Sequence, residues 1–267
     1  MGDRLKGKVA VVTGAGSSGP GWGNGKAVSV LFAREGAKVF GIDINPAAVE
    51  ETAGIVKSEK GEFTAHVADL TKDDGAQGAM KACLDRYGRI DILQNNVGIY
   101  ETGSIESRDL AYWNRALALN LTTMFLSSKY ALPQMVKQGT GGAVVNLASV
   151  ASLRYIGPDY SIYTTTKAAV LGFSRQIALE YAPHKIRVNA VLPGVINTPL
   201  VLEPIRQRVS PQEFQKILGD RESLAPIGRA GTAWDVANAS LFLVSEDAGF
   251  ITGAELLVDG GMSCKTR

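Results

Sequence analysis

The stretch SVASLRYIGPDYSIYTTTK, from Ser149 to Lys167, carries the residue types best suited to chemistry: a serine, then Tyr163, then Lys167 four positions further on. The serine follows a β-like run at 143–147. If Tyr163 opens a helix, a spacing of four puts the phenol and the ammonium on one face, about one turn apart. A free phenol, with a pKa of about 10, is a poor acid or base at neutral pH. A neighbouring ammonium favours phenolate and is expected to lower that pKa toward the working range. The Ser149 hydroxyl can then hydrogen-bond a substrate oxygen that the tyrosine protonates or deprotonates. The same spacing also joins ordinary surface neighbours on helices, so its weight depends on what the rest of the chain supplies.

Strand-like and helix-like patterns alternate along the whole chain. Strands are predicted at Val9–Thr13, Lys38–Asp43, 63–68, 90–94, 143–147, 187–192 and Glu255–Val258. Helices are predicted at 26–35, 46–60, 72–87, 110–138, 160–181 and 233–243, with 110–138 read as one long helix. This alternation implies an α/β fold: a single Rossmann-type domain over 1–267, with a doubly wound parallel sheet of about seven strands and helices on both faces. The stretch 196–230 has weak periodicity and prolines at 199, 204, 211 and 226, which suits a substrate-binding lid.

Between the first strand and the first helix lies TGAGSSGPGWGNGK, with glycines at 14, 16, 19, 21, 23 and 25. Glycines there let backbone N–H groups approach a pyrophosphate at the helix N-terminus; a flexible surface turn would have the same composition. Asp43 ends the second strand, where an acid in a dinucleotide fold accepts hydrogen bonds from ribose hydroxyls and repels a 2′-phosphate. It is also placed to be a strand-end or cap acid ahead of Pro46. No arginine or lysine follows it in Ile44-Asn45-Pro46, which favours NAD over NADP.

With the glycine loop, Asp43, Ser149, Tyr163 and Lys167 in this order, the chain resembles the short-chain dehydrogenase/reductase family over nearly its whole length. Asp69-Leu70 is similar to the family segment that meets the adenine ring. Asn95-Asn96-Val97-Gly98 resembles the family's Asn-Asn-Ala-Gly, and Asn120 falls where the family has an asparagine in a proton relay. Pro193-Gly194, Ile196 and Thr198-Pro199 resemble the segment against the nicotinamide carboxamide. Ile251-Thr252-Gly253 and Val258-Asp259-Gly260-Gly261 match its C-terminal signature. The resemblance implies a catalytic tetrad of Asn120, Ser149, Tyr163 and Lys167. It implies a cofactor site that includes Gly14, Gly23, Asn24, Gly25, Asp43, Ile44, Asp69, Leu70, Asn96, Val97, Gly98, Tyr163, Lys167, Pro193, Gly194, Ile196 and Thr198. It further implies NAD as cofactor, a small alcohol or ketone as substrate, and assembly as a homotetramer through the two long helices.

The chain departs from the family pattern in three places. Thr13 to Gly25 is five residues longer than the usual motif, with the extra residues within 16–22; Trp22 there could pack over a cofactor or cap the loop. Val97 stands where alanine is usual. The interval from Ser149 to Tyr163 is one residue longer, within 154–159. Tyr160 lies seven residues before Lys167, the spacing of related enoyl reductases, so reduction of an enoyl thioester is an alternative to carbonyl chemistry. A 3-oxoacyl thioester reductase and a non-catalytic NAD sensor are further alternatives.

Tyr100, Tyr155 and Tyr160 are candidates for the substrate pocket by position. Leu200, Val201, Leu202, Ile205 and Val209 in the lid suit a hydrophobic or alicyclic alcohol, whereas Glu203, Arg206 and Arg208 could greet a carboxylate. At helical spacing these residues also form a core face and a solvated face. A net charge of +2 with no long basic run gives no nucleic-acid footprint, and no apolar run reaches membrane-spanning length. The N-terminal MGDRLKGKVAVVTG lacks a signal-peptide pattern, and neither the two histidines nor the two cysteines show metal-ligand spacing. A cytoplasmic, metal-independent protein is the expectation.

Overall fold

The computed structural model describes residues 2–100, 102–157 and 159–265. Seven parallel strands form one sheet in the order β3-β2-β1-β4-β5-β6-β7. They are β1 (Val9–Thr13), β2 (Lys38–Asp43), β3 (Glu62–Val67), β4 (Ile92–Asn95), β5 (Gly142–Leu147), β6 (Ile186–Pro193) and β7 (Glu255–Val258). The order reverses between β1 and β4, whose register pairs Ala10 with Ile92 and Val12 with Gln94. That reversal opens a crevice beyond the carboxyl ends of the strands.

Because side chains alternate across a strand, an all-apolar strand feeds two cores at once. In β1, Ala10 and Val12 join one cluster while Val9 and Val11 join the other. The first core is closed by α1 (Asn24–Arg34), α2 (Pro46–Ser58) and α9 (Ala233–Val244), through Val28, Val30, Val49, Val236 and Leu241. The second is closed by α3 (Asp73–Tyr87), α5 (Thr123–Gln138) and α6 (Ser161–Tyr181), through Met80, Cys83, Leu132, Met135 and Ile177. Phe32 and Phe40 are fully buried, one in each core; each such side chain contributes roughly 1.5–3 kcal/mol by burial. Strand ends and helix caps hold the frame locally. Asn45 caps α2 by accepting from Ala47 N and Ala48 N, and Thr232 and Asp235 form a capping box at the start of α9.

The predicted long helix at 110–138 is broken. It consists of α4 (Leu110–Leu117), a π-helical turn at Ala118–Thr122, and α5. A π turn inserts one extra residue per turn and redirects the side chains within it. Here it brings Asn120 into the interior, where it is 1% exposed. The segment 196–230, read from sequence as a lid of weak periodicity, contains two helices, α7 (Pro199–Arg206) and α8 (Pro211–Ser223). Pro199 and Pro211 sit in their first turns, where the missing N–H costs nothing. The predicted 160–181 helix begins one residue later, at Ser161, with Tyr160 in the cap position. Pro158, in the longer 154–159 loop, lies outside the described residues, as do the ends of the 1–267 domain. No helix among the described residues is long and apolar enough to cross a membrane.

Candidate active site

The crevice holds a cavity of about 1050 Å³ that runs from the ends of β2 and β3 to the start of α6. Ser149, Tyr163 and Lys167 line it, as do all the residues anticipated for the cofactor: Gly14, Gly23, Asn24, Gly25, Asp43, Ile44, Asp69, Leu70, Asn96, Val97, Gly98, Pro193, Gly194, Ile196 and Thr198. Asn120 is the exception and stands behind the wall. Its Oδ1 accepts from Ile99 N at 2.7 Å and its Nδ2 donates to Thr166 Oγ1 at 3.0 Å. Asn120 therefore ties the π turn to α6 one residue before Lys167.

Each reactive group is positioned by the element it ends or begins. Ser149 follows β5 and caps a short 3-10 turn, its Oγ accepting from Ala151 N at 3.2 Å. Tyr163 lies in the first turn of α6, and Lys167 one turn further on and 4% exposed. Lys167 Nζ donates to Leu147 O at 2.7 Å and lies 6.0 Å from the centre of the Tyr163 ring. One of its three donors is thus spent on the end of β5, leaving two for the cavity.

The electrostatics differ from the expectation that Lys167 lowers the phenol. Burial pushes the Tyr163 phenol up to about 12, partly opposed by the hydrogen bond from Ser149. Burial also draws the Lys167 ammonium down to about 8. The reason is physical: the ammonium is desolvated, donates to the Leu147 carbonyl, and among the described residues pairs with no carboxylate. In the ligand-free protein this pair is therefore held with little stabilising charge around it.

At the opposite end, Asp43 is fixed on both oxygens. Oδ2 accepts from Gly16 N at 2.9 Å and Oδ1 from Asn45 N at 3.0 Å. Gly16 was not among the anticipated residues; its role follows from the close approach of the loop to β2, since a Cβ there would lie 2.9 Å from Asp43 Oδ2. Asp69 accepts from Thr71 N and Thr71 Oγ1 at 2.9 and 2.6 Å, which lowers its pKa. Among the described residues, no lysine or arginine lines this end beside Ile42, Asp43, Ile44, Asn45, Ala68, Asp69, Leu70 and Thr71.

The glycine loop fits a dinucleotide. Gly14 has φ +62°, and a Cβ on Gly25 would overlap the Gly14 carbonyl oxygen, so this turn is closed to side chains. Asn24 and Asn96 line the same wall, and their Oδ1 atoms are buried without a partner among the described residues. Trp22 does not line the cavity. It stacks on Trp234 with centroids 4.7 Å apart, and Lys26 Nζ sits 5.2 Å above it while pairing with Glu51 at 2.5 Å. Trp22 therefore closes the loop extension from outside.

Of the tyrosine candidates, Tyr100 and Tyr160 line the cavity and hydrogen-bond each other through their hydroxyls. Their rings lie 5.7 and 5.8 Å from that of Tyr163. Tyr155 is 81% exposed and donates to Gly157 O, so it does not belong to the pocket. Among the lid residues, Leu200 and Val201 line the cavity. Leu202, Ile205, Val209, Glu203, Arg206 and Arg208 do not, and Glu203 pairs with Arg206 at 3.1 Å. Arg115 and Arg221, not singled out from sequence, line it instead. Among the described residues, no group of three or more His, Cys, Asp or Glu side chains is placed to hold a metal ion.

Known proteins resemble this chain over nearly its whole length. A family model described as Enoyl-(Acyl carrier protein) reductase matches residues 20–263. An uncharacterized oxidoreductase of Thermotoga maritima is 40% identical, the match covering 96% of this chain and 98% of that protein. The 2,5-dichloro-2,5-cyclohexadiene-1,4-diol dehydrogenase of Sphingobium indicum is 35% identical, covering 98% and 99%. Among solved structures, a short-chain dehydrogenase/reductase from Burkholderia xenovorans superposes with a TM-score of 0.95 at 43% identity, covering 99% of this chain and all of that one.

Proposed function

The chain belongs to the short-chain dehydrogenase/reductase family, and from that premise we propose that it interconverts a secondary alcohol and a ketone with NAD(H), with Tyr163 as general acid and base. The observation that carries this reading is that Ser149, Tyr163 and Lys167 line one cavity whose far end, among the described residues, is lined by Asp43 and by no lysine or arginine. When bound, the nicotinamide supplies the hydride donor or acceptor. The glycine turn, Asn24, Asn96 and the fixed Asp43 carboxylate would hold the nucleotide, and Asp43 disfavours a 2′-phosphate.

In this reading the substrate oxygen lies between Ser149 and Tyr163. Tyr163 removes the hydroxyl proton during oxidation and returns it during reduction. Ser149 donates to the developing oxyanion, a contribution of about 3–4 kcal/mol for a well-placed donor. Lys167 presents its two remaining donors to the cofactor ribose. Asn120 holds the π turn and Thr166 so that Lys167 keeps its direction. Residues 196–230 serve as the substrate lid through Leu200 and Val201. The 35% identical cyclohexadiene-diol dehydrogenase supports an alicyclic alcohol as the substrate type.

Enoyl-thioester reduction is the second reading, favoured by Tyr160 and by the description of the matching family model. Against it, the Tyr160 hydroxyl hydrogen-bonds that of Tyr100, and burial together with that bond raises its pKa above that of an ordinary phenol. Initial rates with NADH and NADPH against ketones, 3-oxoacyl thioesters and enoyl thioesters test the proposal. Reduction of carbonyl compounds with NADH preferred is expected; exclusive reduction of the enoyl compound, or a preference for NADPH, would overturn it. We also propose a cytoplasmic homotetramer that buries the exposed Phe125 of α5 and Leu179 of α6, to be checked by light scattering after size exclusion.

A further inference from the structure

The wall of the cavity is charged asymmetrically. Among the described residues, the acids that line it, Asp43 and Asp69, stand past the ends of β2 and β3, whereas Arg221 lines it together with Tyr100 and Tyr160. Arg221 belongs to α8, and its charge is felt by both of those phenols. Its Nε donates to Asn197 Oδ1 at 2.9 Å and one Nη2 hydrogen to Ile196 O at 3.0 Å. Both acceptors are neutral, and among the described residues no carboxylate pairs with it. By contrast Arg34, Arg229 and Arg206 each pair with an acid within 3.1 Å.

Three of the five N–H donors of Arg221 thus have no protein partner among the described residues, in a fork shaped for a carboxylate. The group is half-buried, and burial lowers its pKa. A guanidinium does not shed its proton at ordinary pH, so the cost of burying this charge is relieved only by an anion brought to it. The Tyr100–Tyr160 hydrogen bond adds a further donor. One hydroxyl donates to the other, and the acceptor's own proton remains available to a ligand.

We propose that Arg221, assisted by the Tyr100–Tyr160 pair, binds a carboxylate carried by the substrate, which makes the substrate an anionic hydroxy or keto compound. Arg221 is coupled electrostatically to Tyr100 and Tyr160, whose rings lie 5.7 and 5.8 Å from that of Tyr163, so the acid group is several bonds removed from the carbon that exchanges hydride. This deepens the alcohol–ketone reading and rests on it for the word substrate, but the anion site is a separate property of the cavity.

The test uses calorimetric titration of the full-length protein, with and without NADH, with cyclohexanecarboxylate and with its neutral carboxamide. Wild type, Arg221→Gln and Arg221→Lys are compared, each first shown to be folded by circular dichroism. Wild type is expected to bind the carboxylate at least tenfold more tightly than the amide. Arg221→Gln should reduce that ratio to near one, and Arg221→Lys should restore part of it. A merely structural anchor for Asn197 and Ile196 would weaken both ligands equally and leave the ratio unchanged, which overturns the proposal. So does a wild type that fails to prefer the carboxylate, including one that binds neither ligand. Alongside, 4-oxocyclohexanecarboxylate and cyclohexanone are offered with NADH. An Arg221-dependent carboxylate preference without reduction of any ketone would keep the anion site and sink the alcohol–ketone reading. Reduction of cyclohexanone without any carboxylate preference would do the reverse.

Discussion

Replacing Lys167 by methionine should stabilise the ligand-free protein while removing its activity. Lys167 is 4% exposed and its ammonium is drawn from 10.5 to about 8 by burial. At neutral pH the folded chain therefore carries a desolvation cost of ~3 kcal/mol that the unfolded chain does not. Methionine fills a similar volume without charge. It leaves the Leu147 carbonyl, which accepts from Nζ at 2.7 Å, without that partner, an offset of ~1–2 kcal/mol. The net gain is ~1–2 kcal/mol, or roughly 2–8 °C in Tm for a chain of this size. The sign of the pH dependence follows from the lowered pKa. Between pH 8 and 10.5 the unfolded state still binds a proton that the folded state has lost, so wild-type stability rises with pH there. The advantage of Lys167→Met should therefore be full at pH 7 and shrink by pH 10. Urea unfolding of both proteins at the two pH values measures it. A variant less stable than wild type at pH 7, or an advantage that does not change with pH, would refute the reasoning.

The glycine turn makes a sharp contrast. A Cβ on Gly25 would overlap the Gly14 carbonyl oxygen and lie 2.6 Å from Asn96 Nδ2, whereas one on Gly23 would meet nothing closer than 3.3 Å. Gly25→Ala should cost ~2–3 kcal/mol and weaken NADH binding at least tenfold, and Gly23→Ala should cost under ~1 kcal/mol; thermal melts and fluorescence titration check both. Asp43→Ala should lower the kcat/KM preference for NADH over NADPH at least tenfold, and unchanged discrimination would show that Asp43 does not set it.

Much of the frame was legible because its signals are local. The continuous apolar run Val9–Thr13, Pro46 at the start of α2 and the glycines between β1 and α1 each constrain a few neighbouring residues. The Ser149, Tyr163 and Lys167 placements needed only a strand end and a helix start. The π turn at Ala118–Thr122 was not legible, since LALNLTT contains no proline or glycine and reads as continuous helix. A buried-side asparagine beside two threonines was the one hint. The two helices of the lid were hidden because Pro199 and Pro211 were read as breaks, although proline also opens helices. Arg206 and Arg208 are the lid arginines that the sequence singles out, yet it is Arg221 of α8 that lines the cavity. The balance between burial and the lysine charge at Tyr163 was likewise set by tertiary packing, which spacing along a helix does not encode.

Tyr163 carries the proposed proton transfer, and the most direct measurement compares Tyr163→Phe with wild type for NADH-dependent ketone reduction and, separately, for NADH affinity. Loss of the hydroxyl should lower kcat at least a thousandfold while NADH affinity stays within about threefold, since proton transfer is removed and the ring is retained. Turnover within tenfold of wild type in that variant would contradict the assignment of the proton-transfer role to Tyr163.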